Sequence, residues 1–193
     1  MQRNGVDSVL VGACNQGGQR FDAAIADDAR NKLFLDEREK VTTADGPRQP
    51  VGDLACRNIL RGRDHGVASY NDVRKAYGLT PARTWEDVTS NVELAKRLRL
   101  IYGTQPDDGF DAWTGVQAED VPTGPGRGVV GPLAAVIIKE QFEASRHGDR
   151  FWWQNDPALR SYLPEIKALT LADVIARHTG TSPPPNGSVF HLP

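Results

Sequence analysis

Residues 54–66, LACRNILRGRDHG, place an amide and a guanidinium where helical periodicity calls for core. Val51, Leu54, Asn58 and Arg61 recur at spacings of three, four and three, which aligns them on one helix face. A buried amide without a partner costs about 1–3 kcal/mol, and an unpaired buried charge costs more. The face is therefore either exposed or set against something polar and anionic. The cluster Arg57, Arg61 and Arg63 admits two readings. One is a solvated helix end with a salt bridge to Asp64. The other is a small anionic ligand met by Asn58 and Arg61.

Other motifs are weaker. GRGVVG, with Gly126, Gly128 and Gly131, matches the dinucleotide pattern G-x-G-x-x-G, but that mechanism needs a preceding strand to aim the pyrophosphate at a helix N-terminus. EDVPTGP precedes it here, so a helix-entry turn is the better reading. His65, His147, His178 and His191 are scattered, with neither the paired spacing nor the cysteine company of a metal site. Asp149 and Arg150, ahead of Phe151, Trp152 and Trp153, read as a packed loop anchor rather than a catalytic acid. No local motif positions a Ser, His and Asp set, so nucleophilic catalysis has no support.

The elements that must carry these residues are helical. RFDAAIADDARNKLFL (20–35) predicts an amphipathic helix with Phe21, Ala24, Ile25, Ala29 and Leu33 inward. A polar loop covers 42–50. The helix bearing Asn58 starts near Asp53 and is broken by Gly62 and Gly66. SYNDVRKAYGL predicts a short helix stopped by Gly78. TWEDVTSNVELAKRLRLIYG predicts another, with Val92, Leu94, Ala95, Leu98 and Ile101 apolar. TQPDDGFDAWTGVQAEDVPTGPGRG reads as a long connection. GPLAAVIIKEQFEASRHG is the clearest helix, with Pro132 in its first turn and Gly148 after its end. PEIKALTLADVIARHTG adds one or two more. The Pro-rich tail TSPPPNGSVFHLP is expected over the surface. No alternating strand pattern or repeat appears, so the expected class is mostly α-helical and loop-rich.

Composition narrows the function. The 193 residues are 39% hydrophobic and 25% charged, with formal net charge −2, an ordinary globular balance. A chain of this length can bury about 70% of its unfolded surface around one core. Near-zero net charge argues against a general nucleic-acid or membrane-surface binder. VVGPLAAVII is the longest apolar run, well short of the roughly 20 residues a membrane span needs. The first 18 residues hold no apolar region of signal-peptide length, which fits either a cytoplasmic protein or a leader encoded upstream. Cys14 and Cys56 make no disulfide framework, and Cys56 reads as a small buried filler.

DLACRNILRGRDHGVASYNDVRKAYGL resembles the signature stretch of the animal-type haem peroxidase superfamily, including its bacterial and peroxinectin-like members. The likeness continues in order. LIYGTQPDDGFDAWTG resembles the YGT-x-D-x-I-D-x-W-x-G segment, with about two extra residues around Asp108 and Gly109. GPLAAVIIKEQFEASRHGDRFWW resembles the block ending GDRFWW, and LTLADVIARHTGT the closing helix and turn. NGVDSVLVG and ADDARNKLF resemble the segment before the signature.

The resemblance implies the C-terminal portion of the animal haem peroxidase fold over residues 1–180, with 181–193 as a surface tail. It implies haem between helices, with Asn58 accepting a hydrogen bond from the proximal histidine and Arg61 pairing with a haem propionate. An amide acceptor would fix the imidazole tautomer and tune ligand basicity. Arg63, Asp64 and His65 are expected to brace the structure. The implied reaction is reduction of hydrogen peroxide with oxidation of small donors such as halides or phenols, in a secreted protein.

The distal histidine, distal arginine, proximal histidine and a calcium site would all lie upstream of residue 1. No catalytic residue or metal ligand is thus expected in this chain, which is read as the C-terminal part of a larger peroxidase. It would need the missing N-terminal part or a partner subunit, and would fold poorly and show no turnover alone. Two alternatives stand beside this: a haem-dependent fatty-acid dioxygenase, which needs a tyrosine beside the haem, and a non-catalytic interaction module that has lost haem.

Overall fold

A computed structural model describes residues 5–32, 42–43, 46–47, 53–107, 109–124 and 128–181. The described helices are α1 (Gly5–Asn15), α2 (Leu54–Asp64), α3 (Tyr70–Ala76), α4 (Val92–Tyr102), α5 (Ala112–Ala118), α6 (Pro132–Gly148), α7 (Leu163–Ala168) and α8 (Leu171–His178). Among the described residues the one sheet is a two-residue antiparallel pair, Thr42–Thr43 with Gly46–Pro47. The mostly α-helical expectation holds. The chain divides into two compact units, residues 21–139 and residues 1–20 with 140–193.

Short polar residues start the helices as their chemistry requires. Asp53 accepts from the Ala55 and Cys56 N–H groups, Ser69 from Asp72, Asn91 from Leu94, and Thr170 with Asp173 forms a capping box on α8. Each satisfies amides that a helix start leaves without intrahelical partners.

The core of the 21–139 unit is aromatic. Tyr70, Trp85, Phe110 and Leu133 are fully buried. Phe110 meets three rings edge-on: Tyr70 at 5.0 Å, Trp85 at 5.0 Å and Tyr102 at 4.9 Å between centroids, the arrangement ring quadrupoles favour. The Phe110 carbonyl accepts the Tyr70 N–H at 2.8 Å, and the next residue, Asp111, forms an isolated bridge with Ser69. The buried amide of Asn71 is fully employed: it donates to the Ala82 and Pro106 carbonyls at 2.9 and 2.7 Å and accepts the Ala82 N–H at 2.8 Å.

Beside this core lies a buried carboxylate. Glu119 accepts from the Tyr70 hydroxyl at 2.8 Å, from the Arg74 guanidinium, and from the Leu133 N–H at 2.7 Å. Burial, then the Glu119 charge, pushes the Tyr70 phenol well above its ordinary value. Glu119 thereby ties α3, the end of α5 and the first turn of α6 together.

In the other unit α8 buries Ala172 and Ile175, Cys14 is buried on α1, and the Asp7 carboxylate accepts the Gly180 N–H at 3.0 Å. Arg146 stacks over Trp152 at 5.1 Å, and both donate to Gln154 at 3.0 Å.

Several expectations need correction. Residues 21–26 are not helical, and the helical turn covers Asp28–Lys32; the Asp22 side chain accepts the Ala24 N–H at 2.7 Å, a local bond that competes with helix. Residues 33–35 of that prediction, with Leu33, lie outside the described residues, as do Val51, most of the 42–50 loop, the glycine motif's Gly126, and the tail beyond 181. Gly62 does not break α2, which runs through it and ends where Gly66 takes φ +66°. The connection after α4 contains α5, and the N-terminal segment forms α1, neither of which was expected. Cys56 is exposed rather than a buried filler, because α2 has no fully buried side chain. The loop at Asp149 is an anchor only in part: Asp149 accepts the Phe151 N–H at 2.8 Å, yet Phe151 itself is exposed.

Two glycines make opposite demands. A Cβ on Gly115 would lie 2.1 Å from the Tyr70 ring, whereas one on Gly62 would meet nothing within 4 Å. Gly115→Ala is expected to destabilise by at least about 1–3 kcal/mol through overpacking. Gly62→Ala, in a helical turn with open space, should be neutral or stabilise by up to about 1 kcal/mol. Denaturant midpoints of the two variants check both.

Candidate functional site

The polar stripe of α2 faces an open cavity of about 590 Å³, within the roughly 300–1,000 Å³ of ligand pockets. Asn58, Arg61, Arg63 and His65 line it, with apolar Val73 of α3, Trp113 and Val116 of α5, Ile137 of α6, and Phe110 just before α5. Asn58 is half-buried and Arg61 exposed. The face is thus open to a cavity rather than packed as core.

Hydrogen bonding separates the side chains of α2. Arg63 is committed: its Nε and Nη2 donate to the two carboxylate oxygens of Asp111 at 2.8 and 2.7 Å. Asp111 also accepts from the Tyr102 hydroxyl at 2.7 Å, and Tyr102 contacts the Thr114 hydroxyl at 3.2 Å. Arg63 therefore braces the structure as expected, although its partner is Asp111 rather than Asp64. Asn58, Arg61, Asp64 and His65 make no side-chain hydrogen bond or ion pair among the described residues, so bracing does not extend to Asp64 and His65. An amide and a guanidinium with no partner among the described residues, on one face of one cavity, are what a polar, anionic ligand requires.

His65 joins the cavity, continuing the stripe after Arg61. His147 and His178 are exposed at the ends of α6 and α8, in the other unit, and His191 lies outside the described residues. No group of three or more His, Cys, Asp or Glu able to hold a metal occurs among the described residues, and no described helix is long and apolar enough to cross a membrane. The residue that sequence reasoning missed is Asp111. It stands in the FDAWTG segment, but 48 positions separate it from Arg63, so no local spacing could pair them.

The family model for animal haem peroxidase matches residues 1–189. Peroxinectin A of Dictyostelium discoideum is 37% identical over 175 residues, covering 91% of this chain and 30% of the relative. The solved structure of peroxidase A from the same organism superposes with a TM-score of 0.76 at 36% identity, over 95% of this chain and 33% of that one. A fatty acid alpha-dioxygenase of Oryza sativa superposes less fully, with a TM-score of 0.56 at 28% identity over 65% of this chain and 21% of that one. The chain belongs to the animal haem peroxidase family and has the fold of its peroxidases. It spans about a third of the length of the Dictyostelium proteins it matches.

The residues present fit haem. Apolar walls suit a flat macrocycle, and the Arg61 guanidinium and Asn58 amide, unpaired among the described residues, could meet a carboxylate and an N–H donor.

The Arg63–Asp111 pair has a defined pH dependence. Hydrogen bonds from Arg63 hold the Asp111 carboxyl below the usual carboxylate range; partial burial opposes this, and the Tyr102 hydroxyl adds to it. The folded value lies below the unfolded one, so the stabilisation is complete above the unfolded value of about 3.9 and is lost as pH falls through the folded value. The Arg63 Nε–H resonance should keep its hydrogen-bonded shift down to about pH 4 and collapse only below it. A collapse near pH 5 or above would contradict the arrangement.

Proposed function

We propose that this chain supplies the proximal-side supporting shell of a haem-dependent peroxidase that reduces hydrogen peroxide and oxidises small donors such as halides or phenols. The observation that carries the reading is Asn58 and Arg61 side by side on the cavity face of α2, with no side-chain partner among the described residues. Bound haem iron would supply the redox chemistry. The Asn58 amide oxygen would accept the second N–H of a histidine that holds the iron, keeping its tautomer and raising its basicity. Arg61 would hold the haem by pairing with one of its carboxylates. Val73, Phe110 and Trp113 would give the macrocycle an apolar wall.

The histidine ligand, the distal histidine and arginine, and calcium would be provided by polypeptide outside this sequence, either a longer form of the chain or a partner subunit. The likeness to family members spanning three times this length supports that arrangement. Residues 1–180 would then form part of one haem peroxidase domain, working outside the cell as the family resemblance implies. Fuller coverage of the peroxidase structure than of the dioxygenase favours the peroxidase branch, and no tyrosine is among the described residues lining the cavity.

In the haem-loaded protein, Arg61→Ala should weaken haem retention about tenfold or more, the worth of a charge-assisted bond. Asn58→Ala should keep haem but shift the iron's reduction potential. Unchanged affinity in the first and unchanged potential in the second would remove the reading. The purified 193-residue chain is expected to show no peroxide-dependent oxidation of a phenolic donor by itself, and rapid turnover by it would refute the supporting-shell role. A non-catalytic module would show no Soret band even when combined with the complementary polypeptide.

A further inference from the structure

We propose that Asp111, acting through Arg63 and held by Tyr102, is the positioning residue that sets the rotation of α2 and so presents Asn58 and Arg61 to the cavity. The proposal rests on the haem-facing reading of those two side chains. Its basis is how α2 is held. None of its side chains is fully buried, so packing alone leaves its rotation about its axis weakly specified. Polar contacts tether its two ends. At the start, Asp53 caps the helix and accepts from Arg30 at 3.1 Å, with the Arg30 side chain 62% exposed. At the end, the Arg63 fork meets both oxygens of Asp111.

The two tethers differ in what stands behind them. Asp111 is anchored on every side: its side chain is only 12% exposed, its backbone is bridged to Ser69, and its neighbour Phe110 is fully buried. Tyr102, which donates to it, is itself packed edge-on against Phe110. The acceptor is therefore fixed to the core. A bidentate guanidinium–carboxylate pair specifies direction as well as distance. Arg63 lies two residues past Arg61, roughly half a turn round the helix, so fixing Arg63 fixes the angle at which Arg61 faces the cavity. The Arg63 side chain is 58% exposed, and exposed pairs contribute little to stability. Orientation, more than stability, is what this pair supplies.

The test compares ferric hemin with its dimethyl ester, which lacks the carboxylates Arg61 would meet. Both are titrated into the full chain by Soret absorbance, with hydrogen exchange of the α2 amides followed in parallel. Wild type should prefer hemin about tenfold, and Arg61→Ala should abolish the preference. Asp111→Ala and Arg63→Lys should also bring the preference close to one, with Arg61 in place, far-UV circular dichroism unchanged and α2 exchanging faster. Should Asp111→Ala fail to fold, Arg63→Lys at the exposed end of the pair carries the test. Retention of the wild-type preference in the folded variants overturns the proposal, whatever the exchange. A wild type without preference defeats the haem-facing reading instead. Exchange then decides the clamp: acceleration confined to α2 upholds it, and unchanged exchange overturns it.

Discussion

The burial of Phe110 is the constraint from which both the core and the site follow. Its ring closes an aromatic cluster with Tyr70, Trp85 and Tyr102, while its carbonyl takes the Tyr70 N–H. One residue thus fixes the start of α3 against the start of α5. The adjacent carboxylate, Asp111, is delivered to the end of α2 as a consequence. A shift of one residue would send the carboxylate toward the core and the phenyl ring toward α2, at the cost of an unpaired buried charge. The alternation of side chains along this short extended stretch couples packing to polar placement.

Polar groups show the same discipline. Asn71 and Glu119 are buried and each has three partners, so neither carries an unsatisfied atom. Asn58 and Arg61 have none among the described residues, and they stand where the cavity leaves room for a ligand. The contrast between two asparagines in one unit gives the α2 stripe its meaning. A structural amide is surrounded by backbone partners, whereas a ligand-facing amide is left open. The chain's likeness to a peroxidase extends over a third of that protein's length, and the haem role proposed for the opening draws on that family.

Much of this was legible in the sequence because it depends on neighbours along the chain. Asp53 near the start of α2, the proline at the start of α6, and the four-three spacing of Leu54, Asn58 and Arg61 are local signals, and the helices they announce are present. Local signals also misled. The apolar spacing after residue 20 suggests a helix, but a side-chain bond from Asp22 takes the backbone elsewhere. Gly62 looks like a stop, yet one glycine in a helix costs only about 1 kcal/mol. The seven residues of α5 were lost in a Gly- and Asp-rich stretch too short to show periodicity.

By itself the sequence determined the helical class, the family, and the pairing of an amide with a guanidinium on one helix face, since each rests on residue order or on spacings within a few turns. Tertiary structure alone decided which arginine of the cluster is spent on bracing and which is left free. That choice depends on Asp111, distant in the chain and brought to Arg63 by the burial of Phe110. Ion-pair partners follow from where the core places a carboxylate, and no local spacing records that.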